Sequence, residues 1–356
     1  MGCLINIFMK IAILNSLYQR GGAEKVAQKM AQDLTDQGHE VFFVATKAKG
    51  QEKAINIRYS IYELNSLFPE LHKYSYAFRL FWQMINLFNL HKYYQIKKIL
   101  KKEKPDLAIS HNLMGLGYQI PRLIKKLGIK HEHYLHDIQL LHPSGLMYFG
   151  QEKIIDSLGA KIYQVITRYL FQGADKIVSP SRWLIEIHSQ RGFFRKSEKI
   201  VRPNFPLNQT PREKKDINQD KQRFLYVGQL EKHKGLELLI KAWLEADKKG
   251  ELIIIGDGQE EKHLKEMVKN RADIVFFPYK EEKVKELMRN SDYLVVPSLV
   301  YENSPSVIYE AKQIGLTVIA SSIGGIPELT TSQDILFQPG KQAELVRIIK
   351  DLNTRA

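Results

Sequence analysis

At 356 residues the chain is too long for one ordinary hydrophobic core, so two domains are expected. Hydrophobic residues at 44% and charged residues at 26% exclude a disordered chain. A net charge of +14 favours anionic partners (phosphates, acidic lipids or nucleic acid) and does not choose among them. Cys3 is the single cysteine, which excludes an internal disulfide and fits a reducing, cytoplasmic compartment.

Residues 1–8 lack the basic region of a secretory signal and run straight into a strand-like segment. Met9 opens a sensible protein start, so 1–8 reads as a dispensable extension. Residues 11–14 predict a first strand, Gly21-Gly22 a loop, and 23–37 an amphipathic helix ended by Gly38. Further strands are predicted at 41–45, 106–110, 133–135 and 176–179. The most hydrophobic stretch, 76–90, is interrupted by Arg79, Gln83, Asn86 and Asn89, and is too short and polar to span a bilayer. Residues 203–222 hold three prolines and almost no apolar periodicity, the composition of a linker. The alternation then restarts, with strands at 224–227, 252–255, 274–277, 293–296 and 317–320 and helices at 236–246 and 260–269. This pattern predicts two doubly wound α/β domains, 1–202 and 223–356, with ligands in the cleft at the carboxyl ends of the strands.

Four loops carry candidate chemistry. In PSLVYENSPSVIYEA, Ser304 reads as a helix N-cap and Pro305 as its first residue. Glu302 then lies before the helix and Glu310 about two turns inside it. The plain alternative is a pair of surface glutamates. In YVGQLEKHKGLELLI, Gly228 permits a turn and Lys234-Gly235 stand at a helix entry, where ammonium and dipole together suit a diphosphate. The alternative is a βα turn with a solvated lysine. Gly21-Gly22 allow a close backbone approach without forming a dinucleotide fingerprint. His136-Asp137 follow a strand and face the cleft, where the imidazole suits hydrogen bonding to a ligand or stabilising charge. Nearby His131, His133 and His142 raise a zinc alternative, but cysteine partners are absent and the spacing matches no common site.

Lys234-Gly235, Gly256-Asp257-Gly258 and the Glu302…Glu310 pair, in this order, resemble a retaining glycosyltransferase of the GT-B fold. The resemblance is closest to family 4 of the glycosyltransferases, the group 1 family, and runs over residues 10–340. PS-x3-E-x7-E-A followed by TVIASSIGGIPEL is its most specific part. The resemblance implies two Rossmann-like domains facing across a cleft, and transfer of a sugar from a nucleoside-diphosphate donor with retention of configuration. It implies that Gly21 and Gly22 approach the donor phosphates and that His136 contacts the transferred sugar. It places Lys234, beside Gly235, on the diphosphate, Glu302 with Asn303 and Ser304 on the sugar hydroxyls, and Glu310 on the ribose. Base selection would fall near Phe277-Pro278-Tyr279. No metal or other cofactor is implied, and no Asp-x-Asp occurs in the sequence.

Three departures stand out. Gln229 replaces a frequent arginine, and Pro305 a frequent glycine whose N–H it lacks. The chain also ends at Ala356, soon after the amphipathic stretch 342–352, where members usually continue into further helices. A truncated sequence or a looser domain contact would explain this.

In residues 71–104, Tyr74, Tyr76, Phe78, Phe81, Trp82, Phe88, Tyr93 and Tyr94 are interleaved with Lys73, Arg79, Lys92, Lys97, Lys98, Lys101 and Lys102. That is the composition of a membrane-surface helix, and equally of a core helix with solvated lysines. Membrane contact would place the protein at the inner face of the cytoplasmic membrane, with a lipid-linked or polysaccharide acceptor. The main rivals are a nucleic-acid binder, which lacks a recognition motif here, and an inactive glycosyltransferase-like scaffold. A sugar-nucleotide epimerase or a phosphorylase shares the fold, and a dehydrogenase fits least because its glycine fingerprint is missing.

Overall fold

A computed structural model of the chain describes residues 8–18, 22–47, 58–205, 222–247, 249–269 and 271–352. Its contacts form two compact units: Met1–Gly145 with Lys153–Arg202, and Leu146–Glu152 with Pro203–Ala356.

The first unit runs β1 (Lys10–Leu17), α1 (Gly22–Asp36), β2 (Glu40–Lys47), β3 (Ser60–Asn65), α2 (Tyr76–Leu87), α3 (Leu90–Glu103), β4 (Leu107–Ser110) and α4 (Ile120–Lys126). It continues with β5 (Lys130–Tyr134), α5 (Leu158–Leu170), β6 (Lys176–Ser179), α6 (Arg182–Gln190) and β7 (Glu198–Val201). The seven strands are parallel in the order β3-β2-β1-β4-β5-β6-β7, which reverses between β1 and β4. The central β1 is buried on both faces and accordingly reads as an unbroken apolar run, Ile11 to Leu14. The strand predicted at 133–135 starts earlier than its apolar residues suggest, at Lys130. In β5, His131 and His133 take the inward positions while Lys130 and Glu132 point outward, so histidines do the work expected of aliphatics.

The second unit runs β8 (Gln222–Val227), α7 (Leu236–Ala246), β9 (Gly250–Ile255), α8 (Glu261–Met267), β10 (Ile274–Phe277), α9 (Glu281–Asn290) and β11 (Tyr293–Val296). It ends with α10 (Ser306–Gln313), β12 (Thr317–Ser321), β13 (Ile335–Phe337) and α11 (Gln342–Asp351). Its parallel order is β10-β9-β8-β11-β12-β13, reversing between β8 and β11. Alternation along β8 sends Phe224 to the cluster formed with Trp243 and Ile349, and Leu225 to the opposite cluster with Ile308 and Tyr309.

Three expectations change. Leu146–Glu152, read from sequence as part of the first domain, belongs to the second unit. There the Phe149 amide donates to Leu299 O at 2.9 Å and the Tyr301 amide to Met147 O at 2.9 Å, a backbone pairing that hydrophobic periodicity cannot announce. Second, Ser304 is not the N-cap of α10; Pro305 is, in extended geometry. The Ser304 hydroxyl is engaged instead with the Tyr309 hydroxyl at 2.7 Å. Third, the strand predicted at 133–135 is β5, which spans Lys130–Tyr134 and leaves Leu135 outside it. Residues 206–221, most of the predicted linker, lie outside the described residues. Just before them, the Asn204 amide donates to Tyr309 Oη at 3.3 Å and Phe205 packs edge-on against the Tyr309 ring.

Among the described residues no helix is long and apolar enough to cross a membrane.

Candidate active site

Parallel α/β sheets gather ligands at strand carboxyl ends where the order reverses. In the second unit that place is the pair of loops after β8 and β11, and it holds charge. Lys234 Nζ lies 2.7 Å from Glu302 Oε1, and the Ser298 hydroxyl donates to the same oxygen at 2.9 Å. Burial opposes charge on Glu302, but Lys234 and the two hydrogen bonds prevail and hold its carboxyl below the ordinary range. An ammonium has three N–H donors, so Lys234 retains capacity for a second anion beside Glu302.

The backbone around this pair is held from several sides. The Leu299 amide donates to His233 O at 2.9 Å, tying the two loops together. The Gly325 amide donates to Glu302 O at 2.8 Å. Gly235 has φ +73°, and a Cβ there would come within 1.9 Å of Pro297 O. Gly324 has φ +61°, and a Cβ there would come within 2.2 Å of Glu302 O. Only glycine satisfies both conditions at each position.

The remaining donor-site candidates of this unit occupy separate positions. Gln229 is exposed, its carbonyl accepting the Tyr226 hydroxyl at 2.7 Å. Tyr279 is 44% exposed, with its amide donating to Asp257 Oδ2 at 3.3 Å. Asn303 is buried beside Glu302. Glu310 is half-buried on α10 and adds to the influences, led by Glu281, that raise the Lys285 ammonium of α9.

The first unit places neutral groups at the corresponding strand ends. His111 directly follows β4, and its amide donates to Leu14 O at 2.9 Å, continuing the pairing with β1. The Asn112 amide donates to Asn15 Oδ1 at 3.1 Å, and the Ser16 hydroxyl to Asn112 O at 3.0 Å. His136 follows β5, and its Nε2 lies 2.9 Å from Nδ1 of His111. The two rings are near-parallel and meet through these nitrogens, and the Tyr134 ring also lies near-parallel to His111, its centroid 5.0 Å away. Burial lowers the His136 imidazole to about 4 and takes His111 well below the ordinary range. A small cavity of about 20 Å³ is lined by His111, His133, His136, Asp137, Tyr118 and Gln139, among others. Burial pushes the Asp137 carboxyl up to about 6, against the Gln139 amide that donates to it at 2.7 Å and with added repulsion from Glu24.

His131 and His133 share the Ser110 hydroxyl at 2.7 and 2.8 Å inside the core, while His142 pairs with Ser144. Among the described residues no three His, Cys, Asp or Glu side chains converge to hold a metal ion. Gly22 opens α1, and Gly21 lies outside the described residues. The sequence reading missed Ser298 and His111. The rule that selected His136, a polar residue just past a strand, selects both of them.

Two parallel-sheet Rossmann-like units in one chain define the GT-B class of glycosyltransferase folds. The family described as "Glycosyl transferases group 1" matches residues 208–354, and "Glycosyltransferase Family 4" matches residues 20–204, so the chain belongs to this glycosyltransferase family. It is 26% identical over 340 residues to an uncharacterized 42.6 kDa protein in the cps region of Klebsiella pneumoniae, covering 90% of this chain and 87% of that one. It is 21% identical over 369 residues to N-acetyl-alpha-D-glucosaminyl L-malate synthase of Bacillus anthracis, covering 96% and 88%. Among solved structures it shares its fold with the lipopolysaccharide outer core galactosyltransferase WaaB, at TM-score 0.64 and 17% identity, over 97% of this chain and 90% of that one. It also shares it with HepE of Anabaena in complex with UDP and glucose, at TM-score 0.66 and 19% identity, over 96% and 89%.

Proposed function

We propose that the protein is a retaining hexosyltransferase that moves a sugar from a nucleoside diphosphate to a glycan or lipid-linked acceptor without a catalytic metal. The observation that carries the reading is the Lys234–Glu302–Ser298 constellation at the β8/β11 reversal of a family 4 chain. In the reaction the bond from the anomeric carbon to the diphosphate oxygen breaks, leaving negative charge on phosphate and positive charge on the sugar ring. Lys234 stabilises the first, and Glu302, already ionised beside it, the second. His136 contacts the transferred sugar, and Gly21, Gly22, Gly235, Asn303, Ser304, Tyr279 and Glu310 line the donor. Relatives support the substrate class. HepE was solved with UDP-glucose, and a 104-residue stretch is 36% identical to an amylovoran biosynthesis glycosyltransferase of Erwinia amylovora.

The acceptor reading rests on the surface of the first unit. Helices α2, α3, α4 and α5 together carry eleven lysines and arginines and a single acidic residue, Glu103. Phe81, Met84, Ile85, Phe88, Leu90 and Tyr94 are exposed there, and Leu158, Ile162, Val165 and Tyr169 form an exposed stripe along α5. Basic and apolar groups together suit an anionic bilayer face, which supports a site of action at the inner side of the cytoplasmic membrane.

The first test is calorimetric titration with UDP, GDP and ADP in the presence of EDTA, beside Glu310→Ala. Saturable binding of one nucleotide, weakened by the substitution, supports the donor site. No binding, with both proteins alike, sinks catalysis in favour of an inactive scaffold. Co-sedimentation with phosphatidylglycerol vesicles, reduced by Phe81→Ser with Phe88→Ser, tests the membrane face; equal recovery with neutral phosphatidylcholine vesicles rejects it.

A further inference from the structure

The His111–His136 contact holds information about the reacting end of the first unit. A hydrogen bond between two imidazole nitrogens contains one hydrogen, so it assigns the proton of both rings at once. Nδ1 of His111 and Nε2 of His136 are 2.9 Å apart. Nε2 of His111 is buried and has no hydrogen-bond partner among the described residues. If His136 donated, His111 would carry its own proton on that Nε2, leaving an N–H buried without an acceptor. If His111 donates, the same atom is a bare nitrogen. Buried N–H groups without partners are the rarer and costlier defect.

We propose that His111 is a positioning residue: its Nδ1–H donates to Nε2 of His136, which fixes His136 as the tautomer protonated on Nδ1. His136 then meets the transferred sugar as a neutral hydrogen-bond donor and does not accept a proton at Nε2. The surroundings hold the arrangement in place. His111 meets His136 end to end and lies near-parallel to the Tyr134 ring, whose centroid is 5.0 Å away, and the Tyr134 hydroxyl accepts from Arg202 at 2.9 Å. The backbone of His111 is locked to β1 through the Leu14 carbonyl. A bond to a second imidazole also disfavours protonating either ring, because the imidazolium charges would repel.

The catalytic consequence rests on the glycosyl-transfer reading, but the tautomer does not, so the two fail separately. Long-range proton–nitrogen NMR on histidine-labelled full-length protein, with His136 assigned by His136→Asn, reads the tautomer directly and needs no substrate. The expected result is one neutral His136 ring protonated on Nδ1. His111→Phe should yield a mixture of tautomers, and His111→Asn, whose amide places an N–H near the original Nδ1, should restore the single form. On whichever of UDP-glucose, GDP-mannose or ADP-glucose is turned over, His111→Phe should lower kcat about 10-fold with KM changed less than about 2-fold. His111→Asn should recover most of that loss. A His136 ring protonated on Nε2 in the native protein overturns the proposal. So does a His136 spectrum that His111→Phe leaves unchanged in a variant with a native melting curve.

Discussion

The two units answer the same topological position with opposite chemistry. At the β8/β11 reversal the second unit keeps an ion pair, Lys234 with Glu302, and behind it a buried pair, Lys312 with Asp334. Near the β1/β4 reversal the first unit keeps neutral imidazoles, His131, His133, His111 and His136, bonded to a serine hydroxyl and to one another. The difference shows what decides ionisation at such sites. Burial disfavours charge in both. Only where an opposite charge lies within bonding distance is the penalty offset.

Acid separates the units most strongly. Burial lowers His131 and His188 to about 4 and also takes His111 and His133 well below the ordinary value of 6.5. Between pH 6.5 and 4 the unfolded first unit binds protons that the folded one refuses. Its stability therefore falls as pH falls, by about 1.4 kcal/mol per pH unit for each such ring. Glu302 is lowered too, but its window lies further into acid: its contribution is fully present above the ordinary carboxylate value and is lost progressively as pH falls from there to its lowered value. Hydrogen exchange by mass spectrometry at pH 7.5, 6 and 5 should show β4, β5 and β6 opening well before β8 and β11. Simultaneous opening of both sheets would break the comparison.

The second unit is instead vulnerable to losing one member of a pair. Asp334 is fully buried, faces Lys312, and accepts the amides of Val318 at 2.9 Å and Thr331 at 2.7 Å. Asp334→Ala strands an ammonium in the core and should cost about 3–5 kcal/mol. In urea unfolding, the double variant with Lys312→Met should recover more than half of that loss. No recovery would mean that the carboxylate matters through its backbone bonds alone.

These contrasts were unevenly legible. Strands β10 and β11 and helix α7 stand at the boundaries expected from sequence, because β-branched runs and a 3.6-residue stripe are bounded there by turn residues. β3, β7 and β13 went unnoticed. They are short strands near or at the sheet edges, only partly buried, and carry little apolar signal. Lys234 and Glu302 were each recognisable by residue type and place, but their bond joins residues 68 apart, and no local pattern records that. β5 was half legible because its core positions are histidines. The His111–His136 bond depends on two strand ends meeting across the sheet, which only the parallel order of β4 and β5 brings about.

The charged site can be probed by separating affinity from rate. Lys234 is paired with Glu302, so on the proposed reading a donor diphosphate and Glu302 share the same ammonium. Lys234→Met should weaken nucleotide binding and lower kcat about 100-fold. Glu302→Gln should lower kcat by a similar factor while UDP, or whichever nucleotide binds, is held as tightly or up to about 3-fold more tightly. Parallel loss of affinity in both variants would mean that Glu302 holds the loop rather than the charge.

The smallest expected effect concerns how the helix behind this site begins. Ser304 is one residue too early to cap α10, and its hydroxyl meets Tyr309 Oη at 2.7 Å on the face where Asn204 also bonds that oxygen. A capping serine and a distant tyrosine would contribute independently, whereas bonded partners do not. Ser304→Ala and Tyr309→Phe should each cost about 1 kcal/mol, and the double variant clearly less than their sum, with a coupling of about 0.5 kcal/mol or more. Equal costs that add would return Ser304 to the role of a helix cap. Coupled costs place it in the hydroxyl network that joins residue 204 to the helix carrying Glu310, the contact through which the start of the second unit steadies that helix.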